Sequence, residues 1–228
     1  MHSRFLMQGL LAVVVVVMGC APSAGGPASP GSGGQPAQMA APKRVVAAIR
    51  GNPISLAQRR TQPTTGSVPG LDTLEELMSA GMVHRNDQSA VLPMLAEQTP
   101  SLDNGLWRIL PDGKMETTHR LRSNARWHDG TPVTSDDLMF TVTAERDKEI
   151  DMPRNPTYDL ISSIVATDPQ TVVVSWNQPF IEADAMFAYD IAPPMPKHLL
   201  EPAYLEDKAT FFSRPFWNTE FVGAGPYS

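Results

Sequence analysis

Leu121-Arg122-Ser123-Asn124-Ala125-Arg126-Trp127-His128-Asp129-Gly130-Thr131-Pro132-Val133-Thr134-Ser135-Asp136-Asp137 packs more local structure into one run than any other part of the chain. Just upstream, Thr117, His119 and Leu121 alternate with Thr118 and Arg120, the two-residue period of a strand. Asp129-Gly130 is a strong turn dipeptide, since Gly tolerates a positive φ. Thr134 stands where a helix cap belongs, and Asp137 occupies the reciprocal position three residues on. Leu138, Met139 and Val142 then supply an apolar helix face. The run predicts a strand, a turn and a capped helix in succession.

Two chemical readings of this run compete and lose. His128-Asp129 invites a metal or acid/base pair, but adjacent residues point in different directions and rarely share a ligand. Asp136-Asp137 invites a paired-carboxylate site, yet in the first turn of a helix they answer the positive end of its dipole.

Working outward, Trp107–Leu110 and Met115–Leu121 read as a hairpin around Pro111-Asp112-Gly113. A second hairpin joins Leu160–Ala166 to Thr171–Trp176 through Thr167-Asp168-Pro169-Gln170, with Val172, Val174 and Trp176 on one face. Leu71 to Ala80 reads as a helix, with Gly81 as its stop. Arg44-Val45-Val46-Ala47-Ala48-Ile49 reads as a buried strand ended by Gly51-Asn52-Pro53. Helices mixed with hairpins give an α+β or mixed α/β class.

The whole chain has 228 residues, 42% of them hydrophobic, and a formal charge of −6. The acid excess argues against a nucleic-acid partner, which would call for clustered Lys and Arg. One Cys excludes an intrachain disulfide and a multi-thiolate metal site. No nucleophile elbow, His-Glu-x-x-His zinc motif or phosphate loop occurs. The 12 Met show no stripe suited to a metal and are expected to fill the core. No catalytic residue, no metal ligand and no cofactor is expected, and the chain is read as a binder, not an enzyme.

The amino terminus carries an export signal. Arg4 precedes the apolar run Leu10–Met18, which is too short to span a bilayer and fits a signal peptide's apolar region. Val17-Met18-Gly19-Cys20 resembles the lipobox of bacterial lipoproteins, which implies lipidation at Cys20 and a signal peptide of residues 1–19. Met18 departs from the usual small residue there. Residues 20–42 then form a tether: Ala21 to Pro42 has no charge, and six Ala, five Gly, five Pro and three Ser. Such a segment cannot bury enough surface to fold. Its reach is about 25 Å.

Several blocks in order carry a family resemblance. The Leu121–Asp137 run looks like a Leu-Arg strand, a Trp-x-Asp-Gly turn and a Thr-capped helix. Upstream lies Leu92-Pro93-Met94-Leu95-Ala96-Glu97, downstream Ile191-Ala192-Pro193-Pro194-Met195-Pro196-Lys197-His198-Leu199-Leu200, and last Val222-Gly223-Ala224-Gly225-Pro226-Tyr227, with Ala224 where Thr is usual. Together they resemble the solute-binding proteins, family 5, of peptide and nickel ABC importers. The resemblance implies a periplasmic-binding-protein-like fold of type II, the dipeptide/oligopeptide-binding type. It implies a first lobe with an inserted subdomain, the second lobe lying beyond Ser228. Residues 43–228 would be the amino-terminal part of the solute-binding domain. Within it, 43–69 and about 176–228 would form the core subdomain, and about 70–175 the inserted one.

The resemblance also implies partners and place. A peptide or other small solute would be captured outside the membrane and handed to a permease driven by a separate ATPase. The protein would be held at the membrane through lipid on Cys20, facing the periplasm or cell exterior. A surface lipoprotein that senses ligand on the same scaffold is the alternative. By resemblance the loop Gly51-Asn52-Pro53-Ile54 lines the cleft, where backbone amides and Asn52 would meet an extended ligand by strand addition. The residues alone read equally well as a plain turn. Trp127 and Gly130 are expected to be structural, Gly223, Gly225 and Pro226 to shape backbone, and Tyr227 to pack in the core.

Overall fold

Alternating sequence and tight turns build the sheets. The computed structural model describes residues 44, 46, 48–53, 55–61, 68–151, 154–191 and 193–228. The stretch Val45–Ser228 clusters as one unit, apart from Met1–Arg44; the fold described is that of the larger unit.

Strands β1 (Val83–Arg85) and β2 (Val91–Pro93) pair antiparallel. Their connection is knotted by Asn86, whose Oδ1 accepts from the amides of Gln88 and Ala90. Strands β3 (Trp107–Ile109), β4 (Met115–Arg120), β5 (Ile161–Asp168) and β6 (Thr171–Trp176) form one antiparallel sheet in the order β3-β4-β6-β5. Both hairpins fall where the turn residues place them. Gly113 takes φ 81° between β3 and β4, the left-handed region that Gly enters without penalty. Pro169-Gln170 joins β5 to β6.

Alternation sets which side is dry. Met115, Thr117 and His119 on β4, and Val172, Val174 and Trp176 on β6, are all buried on one face, with Ile161 of β5. Met82, Leu121, Trp127, Leu138, Val142, Met186 and Phe187 cover that face in the main core. Buried Met82, Met115 and Met186 are the core filling expected of Met.

The helices are α1 (Gln58–Thr61), α2 (Leu71–Met78), α3 (Ser135–Arg146) and α4 (Lys197–Glu206). Helix α3 starts as its sequence dictates. Thr134 has an extended backbone, and it forms a capping box with Asp137. Its burial goes beyond the expected single face. Leu138 and Val142 join the main core, whereas Phe140 and Ala144 join a second cluster with Met195, Leu200, Phe211, Phe216 and Trp217. A helix apolar on two sides is a buried helix. The second cluster is held by edge-on aromatic pairs, among them Phe211–Trp217 at 5.5 Å and Phe140–Tyr204 at 5.7 Å. Trp217 Nε1 donates to Phe211 O at 2.7 Å.

Two expectations are corrected. The described positions of Arg44–Ile49 are not strand, and Val46 is 89% exposed. Among the described residues every strand has a neighbour, and each neighbour lies after residue 82. Without one, an apolar run has no ladder to satisfy its amides. Tyr227 is not a core residue; it is 38% exposed and its amide donates to Leu77 O at 3.2 Å. Residues 1–43, with Cys20 and the tether, and Ile54 lie outside the described residues. No helix among the described residues is long and apolar enough to cross a membrane.

Candidate ligand-binding site

The loop proposed to meet ligand is exposed, and the chain just after it is firmly tied. Gly51 and Asn52 face solvent and Pro53 is half-buried. Arg50 N–H donates to Pro69 O at 3.3 Å. Ser55 Oγ donates to Trp217 O at 2.9 Å and accepts from Ala57 N–H, while Leu56 N–H donates to the same Trp217 carbonyl. These bonds fix the Ser55–Ala57 segment, just after the loop, beside Trp217 of the second cluster.

Beneath it lie buried charges. Glu75 is only 2% exposed. Its Oε1 accepts from Gln58 N–H at 2.6 Å, and its Oε2 accepts from the Tyr189 hydroxyl at 2.8 Å. Arg60, on α1, donates from Nε to Glu145 Oε1 at 3.1 Å and from Nη2 to Pro193 O at 2.5 Å. Burial raises the Glu145 carboxyl above its ordinary range, and the Arg60 guanidinium pulls the other way. Burial also pushes the Tyr158 hydroxyl well up, with the Glu145 charge adding to the push. Arg60, Glu75, Trp127, Tyr189, Trp217 and Gly223 border a common cavity of about 40 Å³. A water needs roughly 10–15 Å³ on this scale, so the cavity suits a few waters and is far too small for a peptide.

Sequence reasoning missed Glu75 and Arg60. Glu75 stands four residues after Leu71, the most buried residue of α2. That spacing puts it on the inward face, and an acid there signals a buried partner. Arg60 gave no comparable signal, because its partners are 85 and 133 residues away.

The blocks quoted from the sequence meet beside the cavity. Asp137 is 4% exposed and accepts from Thr134 N–H and Lys197 N–H, each at 2.8 Å, and from Trp127 Nε1 at 3.4 Å. Burial raises its carboxyl above the usual range, against the pull of these donors. Asp129 accepts from His198 Nε2 at 2.7 Å. Gly130 takes φ 88°, as a turn Gly should. Gly223 and Gly225 lie on the carboxyl end of α2, where Gly225 N–H donates to Met78 O at 2.9 Å. A Cβ on Gly223 would lie 1.9 Å from Met78 O, and one on Gly225 2.3 Å from Leu77 O. Only Gly fits either place. His128 and Asp129 thus form the expected turn, and their side chains also hold distant segments that the sequence did not reveal. Among the described residues no group of three or more His, Cys, Asp or Glu is placed to hold a metal ion.

All of these blocks lie inside the stretch that matches a known family. Residues 92–228, more than half of the chain, match the family described as bacterial extracellular solute-binding proteins, family 5 Middle. The chain belongs to family 5. Among relatives of this family 5 chain is the periplasmic murein peptide-binding protein MppA of Escherichia coli K12. It is 30% identical over 103 residues, covering 45% of this chain and 16% of MppA. An oligopeptide-binding protein from Thermus thermophilus, solved with a pentapeptide, superposes with TM-score 0.59 at 22% identity, over 75% of this chain and 31% of that one. AgaA of Agrobacterium (A. tumefaciens R10), solved with agropinic acid, gives TM-score 0.58 at 26% identity, over 78% and 31%. The family 5 chain therefore spans less than a third of the length of these relatives, and it shares the mixed α/β fold of the two solved structures over that part.

Proposed function

We propose that this chain serves a substrate-binding component of an ABC importer, which captures a peptide or similar small solute outside the membrane and hands it to a permease. The reading rests on the family match over residues 92–228. Relatives named as peptide-binding proteins support the peptide class. In this reading Gly51, Asn52, Pro53 and Ile54 present backbone amides and one side-chain amide to the solute, along one wall of the cleft. Residues 43–69 and about 176–228 act as the core subdomain and about 70–175 as the inserted one. The role is capture by non-covalent contact, without chemistry on the solute. Residues 1–19 direct export. Lipid on Cys20 then anchors the protein, and the tether to residue 42 lets the body turn at the membrane surface.

The test is made on the full-length gene product. Calorimetry with defined di- to pentapeptides is expected to give saturable binding, weakened several-fold by Asn52→Ala at unchanged thermal midpoint. A strain lacking the gene is expected to lose uptake of the peptide that binds. Absence of saturable binding, together with unchanged uptake, overturns the reading. Separately, Cys20→Ser is expected to abolish incorporation of labelled fatty acid and to release the protein from the membrane fraction. Unchanged labelling refutes the anchor alone.

A further inference from the structure

The Trp127–Gly130 turn is anchored on one side and grips on the other. On the anchored side, Trp127 Nε1 donates to Asp137, and Asp129 accepts from His198 at the start of α4. On the gripping side stands His128. Its amide donates to Gly223 O at 2.8 Å, and its Nε2 lies 2.9 Å from Gly225 O. A carbonyl oxygen only accepts, so the ring must donate. This requires a proton on Nε2. The gripped segment is pinned from its other face too. Gly225 N–H and Tyr227 N–H donate to the Met78 and Leu77 carbonyls at the end of α2. Two glycines that admit no Cβ show how close that approach is.

We propose that this turn is a clasp and that His128 is its positioning residue. Its amide and imidazole together seat the Gly223–Tyr227 backbone on α2. Gly223 and Ala224 of that backbone, with the preceding Val222, line the same cavity as Leu56 and Arg60. The clasp therefore sets how far that wall stands from the segment that follows the proposed ligand loop.

Amide hydrogen exchange on the full-length protein tests it, with His128→Ala and His128→Gln beside the native protein. Loss of one neutral hydrogen bond should speed local opening by about tenfold. In His128→Ala the Gly225 and Tyr227 amides are expected to exchange about tenfold faster, while β4 and β6 amides keep their protection. Gln can donate from its side-chain amide, so His128→Gln is expected to restore much of the protection. Unchanged exchange at Gly225 and Tyr227 overturns the proposal. So does equal acceleration across the sheet, which would make His128 a general packing residue. If His128→Ala does not fold, His128→Phe, which fills the space but cannot donate, decides: exchange about tenfold faster at those two amides supports the clasp, and unchanged exchange overturns it.

Discussion

His119 makes the stability of this fold depend on acidity in a calculable way. The imidazole is 1% exposed, on the buried face of β4. Its Nδ1 has no hydrogen-bond partner among the described residues. Its Nε2 lies 3.2 Å from Thr117 Oγ1, which already accepts from Trp176 Nε1 at 3.0 Å, and its ring meets Phe187 edge-on at 5.2 Å. Nothing there welcomes a charge, and burial lowers its pKa from 6.5 to about 4. The unfolded chain therefore binds a proton below about pH 6.5 that the folded chain refuses until about pH 4. Where the unfolded state holds more protons, stability rises with pH. Stability is thus full above the unfolded pKa and falls as pH drops toward the folded one. Each pH unit in this window is worth about 1.4 kcal/mol. Going from pH 7 to pH 5 should remove about 2 kcal/mol, and the full loss below pH 4 is about 3 kcal/mol. Urea unfolding followed by Trp fluorescence at both pH values, in the native protein and in His119→Leu, isolates the effect. Asp137 and Glu145 are shared by both proteins and cancel in the difference. The native protein is expected to lose about 2 kcal/mol more than the variant. Parallel losses would refute the reasoning, because His119 would then have no privileged place in the acid response.

Four further substitutions, two of them with a companion variant, probe the seated Gly segment and the buried charges. Gly223→Ala drives a Cβ into Met78 O and should destabilise by about 3 kcal/mol. Gly130→Ala meets open space and only the strain of its positive φ, for about 1 kcal/mol; thermal melts rank the two. Asp137→Ala strands the Lys197 amide and the Trp127 indole and should lower stability by about 3 kcal/mol, with Asp137→Asn losing less; denaturant midpoints measure it. Arg60→Met leaves Glu145 buried at 3% exposure without its cation, a loss of about 3–5 kcal/mol. Adding Glu145→Gln should recover part of it in a double-mutant cycle.

What was legible in the sequence follows from the range of the forces involved. Both hairpins and the start of α3 are set by residues within a few positions of each other. Asp137 with Thr134 was readable for that reason. The same Asp137 carboxylate also takes the Lys197 amide, 60 residues on, and no local rule points there. His128 and Asp129 divide likewise: the turn was local and visible, but the bonds to Gly225 and His198 span 97 and 69 residues. The described positions of Arg44–Ile49 departed in the opposite sense. These residues favour a strand, but a strand also needs a neighbour, which composition cannot supply. Glu75, four residues after Leu71, and Glu145, three after Val142, were buried charges that helical spacing could have disclosed.

Helix α3 has Leu138 and Val142 in one core and Phe140 and Ala144 in the other. Adding or deleting one residue inside it would turn everything beyond that point by about 100°. The members of both sets beyond that point would then leave their clusters together, and Glu145 would swing away from Arg60. Natural variation in length should therefore be absent from 135–146 among sequences that keep this fold. It should gather in the exposed turns, such as the one around Gly113, where a residue gained or lost displaces only solvent.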